Sequence, residues 1–254
     1  MQLLASSIAL LCLYPGWFVL AKEEFTGKAT TYGLASALGG SCSARMAPYS
    51  LNSSLFVAMN YDQYYESSSC SRCLSITGES GTVTAFVADL CYECGYGNLD
   101  LNTALWYTVV GGDPRISDIS WHFTPCPDEQ EKFCWKEGSN PQWFALQVPN
   151  SRDGIKSMEI NGVEAEVIGV TSFYQVAPSD AIDLENVKVK ITSNEGITSK
   201  ATLKSSDYND CPMTDDSTSS IAGGTTTTVI TDTTGATVHH TAWQAYRRRK
   251  IKFY

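Results

Sequence analysis

The amino-acid sequence predicts an all-β protein, stapled by disulfides and exported from the cell, on three observations. Apolar runs of strand length recur between Gly27 and Leu203, separated by turns rich in Gly, Asn and Asp. Beyond Cys12 lie eight cysteines, Cys42, Cys70, Cys73, Cys91, Cys94, Cys126, Cys134 and Cys211. An even set of this kind oxidises to disulfides outside the cytosol, in a pairing that the sequence leaves open. The opening segment, Met1 to Ala21, carries no charge and is dominated by Leu, Ile, Val, Trp and Phe, so it reads as an export signal, with Val19 and Ala21 placed for cleavage before Lys22. A retained anchor is the rival reading. Pro15 and Gly16 interrupt that run and no later run is long enough to span, so no stable membrane insertion is expected after processing.

The first body, residues 22–127, opens with a strand-like run from Gly27 to Gly33 and a loop through Gly39, Gly40, Ser41 and Cys42. Phe56 to Met59 is a brief apolar piece of open type. Gly81 to Leu90 alternates, with Val83, Ala85 and Val87 on one face and Thr84 and Phe86 on the other, as a strand requires. Leu99 to Val110 reads as one short helix or a buried turn, and Ile119 to Phe123 as a last strand. Residues 128–138 are polar, lack periodicity and read as a linker.

The second body, 139–206, has strand patterns at Trp143 to Val148, Ile155 to Ile160, Ala165 to Phe173, Val187 to Ile191 and Ala201 to Leu203, with turns at Asn161-Gly162 and Asn194-Glu195-Gly196. So many short strands in so few residues suit a small β-sandwich. Residues 207–254 are Ser/Thr-rich and then basic, and read as a disordered tail without a core.

Net charge is −9, and Arg247, Arg248, Arg249, Lys250 and Lys252 place positive charge in the tail, which leaves the folded part more acidic still. That argues against nucleic acid as a partner and leaves neutral polymers open. Cys70-x2-Cys73 and Cys91-x2-Cys94 have the spacing of a structural zinc site, but export favours disulfides, and no metal is expected. His122, His239 and His240 make no triad or His-rich site, and no glycine loop has nucleotide-binding form. Asn52-Ser53-Ser54 is a glycan acceptor signal.

Two patterns point to sugars. Asp89 ends one strand and Asp100 follows the turn Gly95-Tyr96-Gly97, so a returning loop brings two carboxylates toward one cleft lined by Tyr32, Tyr92 and Tyr96; glycan chemistry uses such pairs. Trp143-Phe144 and Phe173-Tyr174 are adjacent on strands, so one member of each pair faces outward and offers a ring to a sugar face.

Gly27-Lys28-Ala29-Thr30-Thr31-Tyr32-Gly33, Gly39-Gly40-Ser41-Cys42, Val87-Ala88-Asp89-Leu90, Gly97-Asn98-Leu99-Asp100-Leu101-Asn102 and Gln142-Trp143-Phe144-Ala145-Leu146-Gln147-Val148-Pro149-Asn150 resemble, in that order, the motifs of expansins and expansin-like proteins. The resemblance implies a six-stranded double-psi β-barrel followed by a small immunoglobulin-like β-sandwich that binds carbohydrate. It places Asp100 as the cleft aspartate needed for wall loosening, Asp89 as its support, Thr30 as a cleft hydroxyl, Tyr32 beside it, and Tyr92 as a stand-in for an aromatic that many bacterial relatives carry where Cys91 stands. Trp143, Phe144, Phe173 and Tyr174 become the carbohydrate-binding rings.

A monomer without cofactor is expected, secreted to the cell wall or beyond. It would loosen contacts of cellulose and matrix polysaccharides in plant-type walls without conventional hydrolysis. Gln142 stands where the family has the first of two tryptophans, and His122-Phe123-Thr124 departs from the plant His-Phe-Asp motif, which points to a microbial or protist type. The alternatives are an endoglucanase related to family-45 glycoside hydrolases, using Asp89 or Glu93 as the second carboxylate, and a polysaccharide-binding structural protein.

Overall fold

The computed structural model describes residues 23–48, 51–65, 68–127, 131–206 and 211, together with the backbone of 229–231 and 237–239. The leader at 1–21 and the basic cluster at 247–252 lie outside the described residues.

Six strands close a barrel: β1 (Phe25–Tyr32), β2 (Phe56–Asn60), β3 (Cys73–Gly78), β4 (Gly81–Cys91), β5 (Leu99–Asn102) and β6 (Ser117–Thr124), in the order β1-β5-β2-β4-β3-β6. β1 with β5 and β2 with β4 run parallel, while the other pairs are antiparallel. Parallel partners cannot be joined by a tight hairpin. The crossing connections carry α1 (Tyr61–Tyr64), α2 (Thr103–Val109) and the long loops, and the mixed closed barrel is of the expected double-psi kind. Trp106, Trp121, Phe56, Phe86, Met59 and Leu74 are fully buried in its core.

Two readings of this body change. Leu99 to Val110 is β5 followed by α2, because Asn102 ends the strand and its side chain accepts from the Ala104 N–H as a helix cap. In β4 the simple alternation stops: Ala85, Phe86, Val87 and Ala88 are all buried, since both strand faces are covered. Three disulfides staple the barrel, Cys42–Cys70, Cys73–Cys126 and Cys91–Cys94. The fourth, Cys134–Cys211, ties the first sandwich strand to the segment after the last long one.

The second body stacks two sheets. One holds β7 (Cys134–Trp135), β8 (Phe144–Gln147), β11 (Glu166–Val167) and β12 (Tyr174–Val176), in the order β11-β12-β8-β7. The other holds β9 (Ile155–Ile160), β10 (Val163–Glu164), β13 (Val187–Ser193), β14 (Thr198–Leu203), β15 (Val229–Thr231) and β16 (Thr237–His239), in the order β10-β9-β13-β14-β15-β16. Phe144, Leu146, Met158, Ile160, Val187, Val189 and Ile191 fill the space between.

The first sandwich strand, β7, begins inside the stretch read as a linker, because Phe133, Cys134 and Trp135 are apolar enough to be drawn into this core. The run Ala165 to Phe173 yields only β11, after which Ile168 turns the chain, its N–H donating to the Phe173 carbonyl and its own carbonyl accepting from the Thr171 N–H. The tail is not wholly without structure: β15 and β16 add a hairpin to the free edge of β14, where Thr198, Ser199 and Lys200 pair with Thr231, Ile230 and Val229. β-branched residues suit such an edge.

The bodies are hydrogen-bonded together. Gln147 accepts from the Arg45 N–H at 2.8 Å and donates to the Ser43 carbonyl at 3.0 Å. Ser172 donates twice to the Cys42 carbonyl, and Tyr64 donates through its hydroxyl to that of Val170. The Arg72 guanidinium lies 3.4 Å from the centre of the Phe123 ring; burial draws its pKa down to about 10, against the opposing pull of Asp153 and Glu195. No helix among the described residues is long and apolar enough to cross a membrane.

Candidate functional site: a carboxylate row on the barrel

Strand register assembles the site. Thr30 of β1 pairs with Asp100 of β5, Asp100 with Ala58 of β2, and Ala58 with Asp89 of β4. Residues in register on neighbouring strands present the same face. Four adjacent strands therefore line up Thr30, Asp100, Ala58 and Asp89, with the carboxylates separated by one small side chain. Strands lie about 4.8 Å apart, so the two aspartates stand about 10 Å apart at the backbone.

A bulge makes this alignment possible. Val57 pairs with Val87, but Ala58 pairs with Asp89, so Ala88 is the extra residue and Asp89 is moved into the row. The loop before β2 fits against this bulge through Gly40, where a Cβ would lie only 2.4 Å from the Ala88 carbonyl oxygen. That close approach lets Ser41 hold Asp89: its N–H and hydroxyl donate to Asp89 Oδ1 at 2.7 and 2.8 Å, and the Leu90 N–H adds a third bond at 2.8 Å.

Asp100 is held more lightly. Thr30 Oγ1 donates to its Oδ1 at 2.8 Å. Burial raises the Asp100 pKa above the ordinary carboxylate range, the Thr30 hydrogen bond pulls it back, and the Asp89 charge raises it again. Tyr32, two residues beyond Thr30, encloses its hydroxyl beside the two carboxylates without completing a hydrogen bond of good geometry. Burial, then the charges of Asp89 and Asp100 and the approach to Asp89, push its pKa far above that of a free phenol, so the ring keeps its proton.

On the far side of β5, Gly97 adopts φ +81°, and its carbonyl accepts from the Trp121 indole, which anchors the turn that delivers Asp100.

Two solved structures of a Clavibacter michiganensis expansin match this architecture. The apo form has a TM-score of 0.62 and 27% sequence identity, over 72% of this chain and 92% of the expansin. An Asp-to-Asn variant in complex with cellohexaose matches with a TM-score of 0.60, at the same identity and coverage. In fold and in sequence the chain is similar to this expansin over most of both chains. No family model and no curated protein matches it.

In this chain Thr30, Tyr32, Asp89 and Asp100 are brought together, but other expected residues lie elsewhere. Tyr92 and Tyr96 are exposed instead of enclosed; Tyr92 stacks on Tyr61, with ring centres 6.0 Å apart, and Tyr96 meets Phe25 edge-on. Among the carbohydrate-binding candidates, Phe144, Phe173 and Tyr174 are buried, and only Trp143 is partly exposed, its indole N–H donating to Gln175.

The pairwise in-or-out expectation failed at Phe173-Tyr174 because Phe173 precedes β12 in a turn and is not bound to strand alternation. Phe144 packs edge-on against Trp135, and the Tyr174 hydroxyl donates to the Ile155 carbonyl across the core. Asn52 is exposed, and its side chain accepts from the Ser54 N–H.

Three contributors went unread in the sequence. Ser41 stood in a loop read only as one of the recurring motifs, and its role depends on the Gly40 approach. Ala58 is a spacer by virtue of register, and Tyr61 gains a partner only because β2 and β4 are parallel.

Proposed function

We propose that the chain is secreted and loosens contacts among cellulose and matrix glycans in plant-type walls without hydrolysing them. The observation that carries this reading is the row Thr30, Asp100, Ala58 and Asp89, taken with the likeness to a bacterial expansin that has also been solved with cellohexaose.

Asp100, with its pKa raised, takes up a proton more readily than a free carboxyl and then donates to a sugar oxygen; ionised, it accepts strongly from a sugar hydroxyl. Tyr32, protonated throughout and with its hydroxyl buried, backs the two carboxylates. Asp89 is a fixed acceptor. Hydrogen bonds made to one glycan chain compete with those it makes to its neighbours, and that is how binding alone loosens a wall.

Inverting hydrolysis needs, beside the acid, a base free to activate water. Asp89 has Oδ1 engaged by three donors, which favours an anchoring role over that of a base. One observation favours an endoglucanase as the second reading: a backbone spacing of about 10 Å is compatible with the roughly 6.5–9.5 Å that separates the carboxyls of inverting enzymes.

Extension of wall material under load, measured together with released reducing ends, separates the two. Extension without sugar release, lost in Asp100→Asn, is expected. Reducing ends that rise with protein concentration and vanish in Asp100→Asn would establish hydrolysis instead.

A further inference from the structure

We propose that the stacked rings of Tyr61 and Tyr92 form a second polysaccharide subsite on the barrel rim, taking the flat face of a neutral glucan and supplying attachment that the sandwich does not. The proposal presumes that the barrel cleft acts on polysaccharide.

The pair is open to a ligand. Tyr61 is 60% and Tyr92 67% exposed although their rings lie 6.0 Å apart with an interplanar angle of 26°. Aromatic rings of this size lose much by remaining in water, and an apolar sugar face is a suitable cover. Meanwhile Phe144, Phe173 and Tyr174 are buried, which leaves the sandwich with Trp143 alone among the rings expected to hold polymer.

The pair is also held in place. Asn60 and Cys91 are in register on parallel β2 and β4, so Tyr61 and Tyr92 leave the barrel side by side. The Asn60 amide donates to Gln63 Oε1 and to the Asn98 carbonyl, and Gln63 Oε1 also accepts from the Gly97 N–H. The turn carrying Tyr61 is thereby tied to the loop that leads into Asp100. Tyr92 lies inside the small ring closed by Cys91–Cys94. A prearranged aromatic surface binds at a low cost in conformational entropy.

Tyr61 and Tyr92 stand just past the ends of β2 and β4, three residues beyond Ala58 and Asp89, a reach of at most about 10 Å of extended chain. One glycan chain reaches both places. Exposed Asp62 and Glu93 flank the rings, so a polyuronate is repelled and an uncharged glucan is accepted.

The test uses the full mature chain, with binding to cellulose powder and to soluble cellohexaose. Tyr61→Ala and Tyr92→Ala are each expected to weaken binding about tenfold, as for a central stacking aromatic, and the double variant by less than the product, because the rings act as a unit. Tyr61→Phe and Tyr92→Phe should keep binding, and Tyr107→Ala, at an equally exposed ring on α2, should leave it unchanged.

Thermal midpoints equal to that of the parent chain show that these surface variants fold. Undiminished binding by the double Ala variant, with loosening intact, overturns the rim subsite and leaves the proposed function standing. Tighter binding to polygalacturonate than to cellulose overturns the choice of a neutral glucan. Failure of the parent chain to bind or loosen any neutral glucan overturns both.

Discussion

Thr30 makes the chemistry of Asp100 adjustable. Its hydroxyl favours the ionised carboxylate, against burial, which favours the protonated one. Because the folded pKa stands above the unfolded one, Asp100 contributes stability below the unfolded pKa and loses that contribution as pH rises through the folded pKa. Activity carried by the protonated form falls across the same window. Thr30→Val removes the one influence that lowers the pKa, so the falling limb of a pH profile of wall extension should move to higher pH, while Asp100→Asn should flatten it. A profile that stays in place would detach the loosening activity from Asp100 titration.

Elements divide into those that a local pattern announces and those that only pairing creates. β1, β9, β13 and β6 were legible because alternation and turn residues act within a few positions. β2 was visible only as an apolar piece, since a strand buried throughout looks like any apolar run. The row of Asp100, Ala58 and Asp89 was beyond local reading, because it depends on a bulge at Ala88 and on parallel pairing between residues distant in sequence. The carboxylates themselves were recognisable through their motifs, and their separation was not.

The disulfides divide in a similar way by element. In the chain-entropy description, Cys91–Cys94, with a separation of 3, contributes about 2 kcal/mol, whereas Cys73–Cys126, with a separation of 53, contributes about 4 kcal/mol. Replacing Cys91 and Cys94 together by Ser should therefore lower the calorimetric midpoint less than the same change at Cys73 and Cys126. Cellulose pull-down should nevertheless suffer more from the first, since it frees Tyr92.

For the whole molecule, the outer face of β8 is occupied by the barrel, with Gln147 fully buried between them. Gln147→Ala leaves the Arg45 N–H and the Ser43 carbonyl without these partners, at a cost of about 2 kcal/mol. Calorimetry should show a lower midpoint, and a single transition splitting into two would mark barrel and sandwich as units that melt together only through this contact. Such a contact turns two modules into one lever. On the proposed function, a glycan chain held at the barrel is moved by barrel and sandwich together, because the bonds of Gln147 and Ser172 resist independent swivelling of the sandwich.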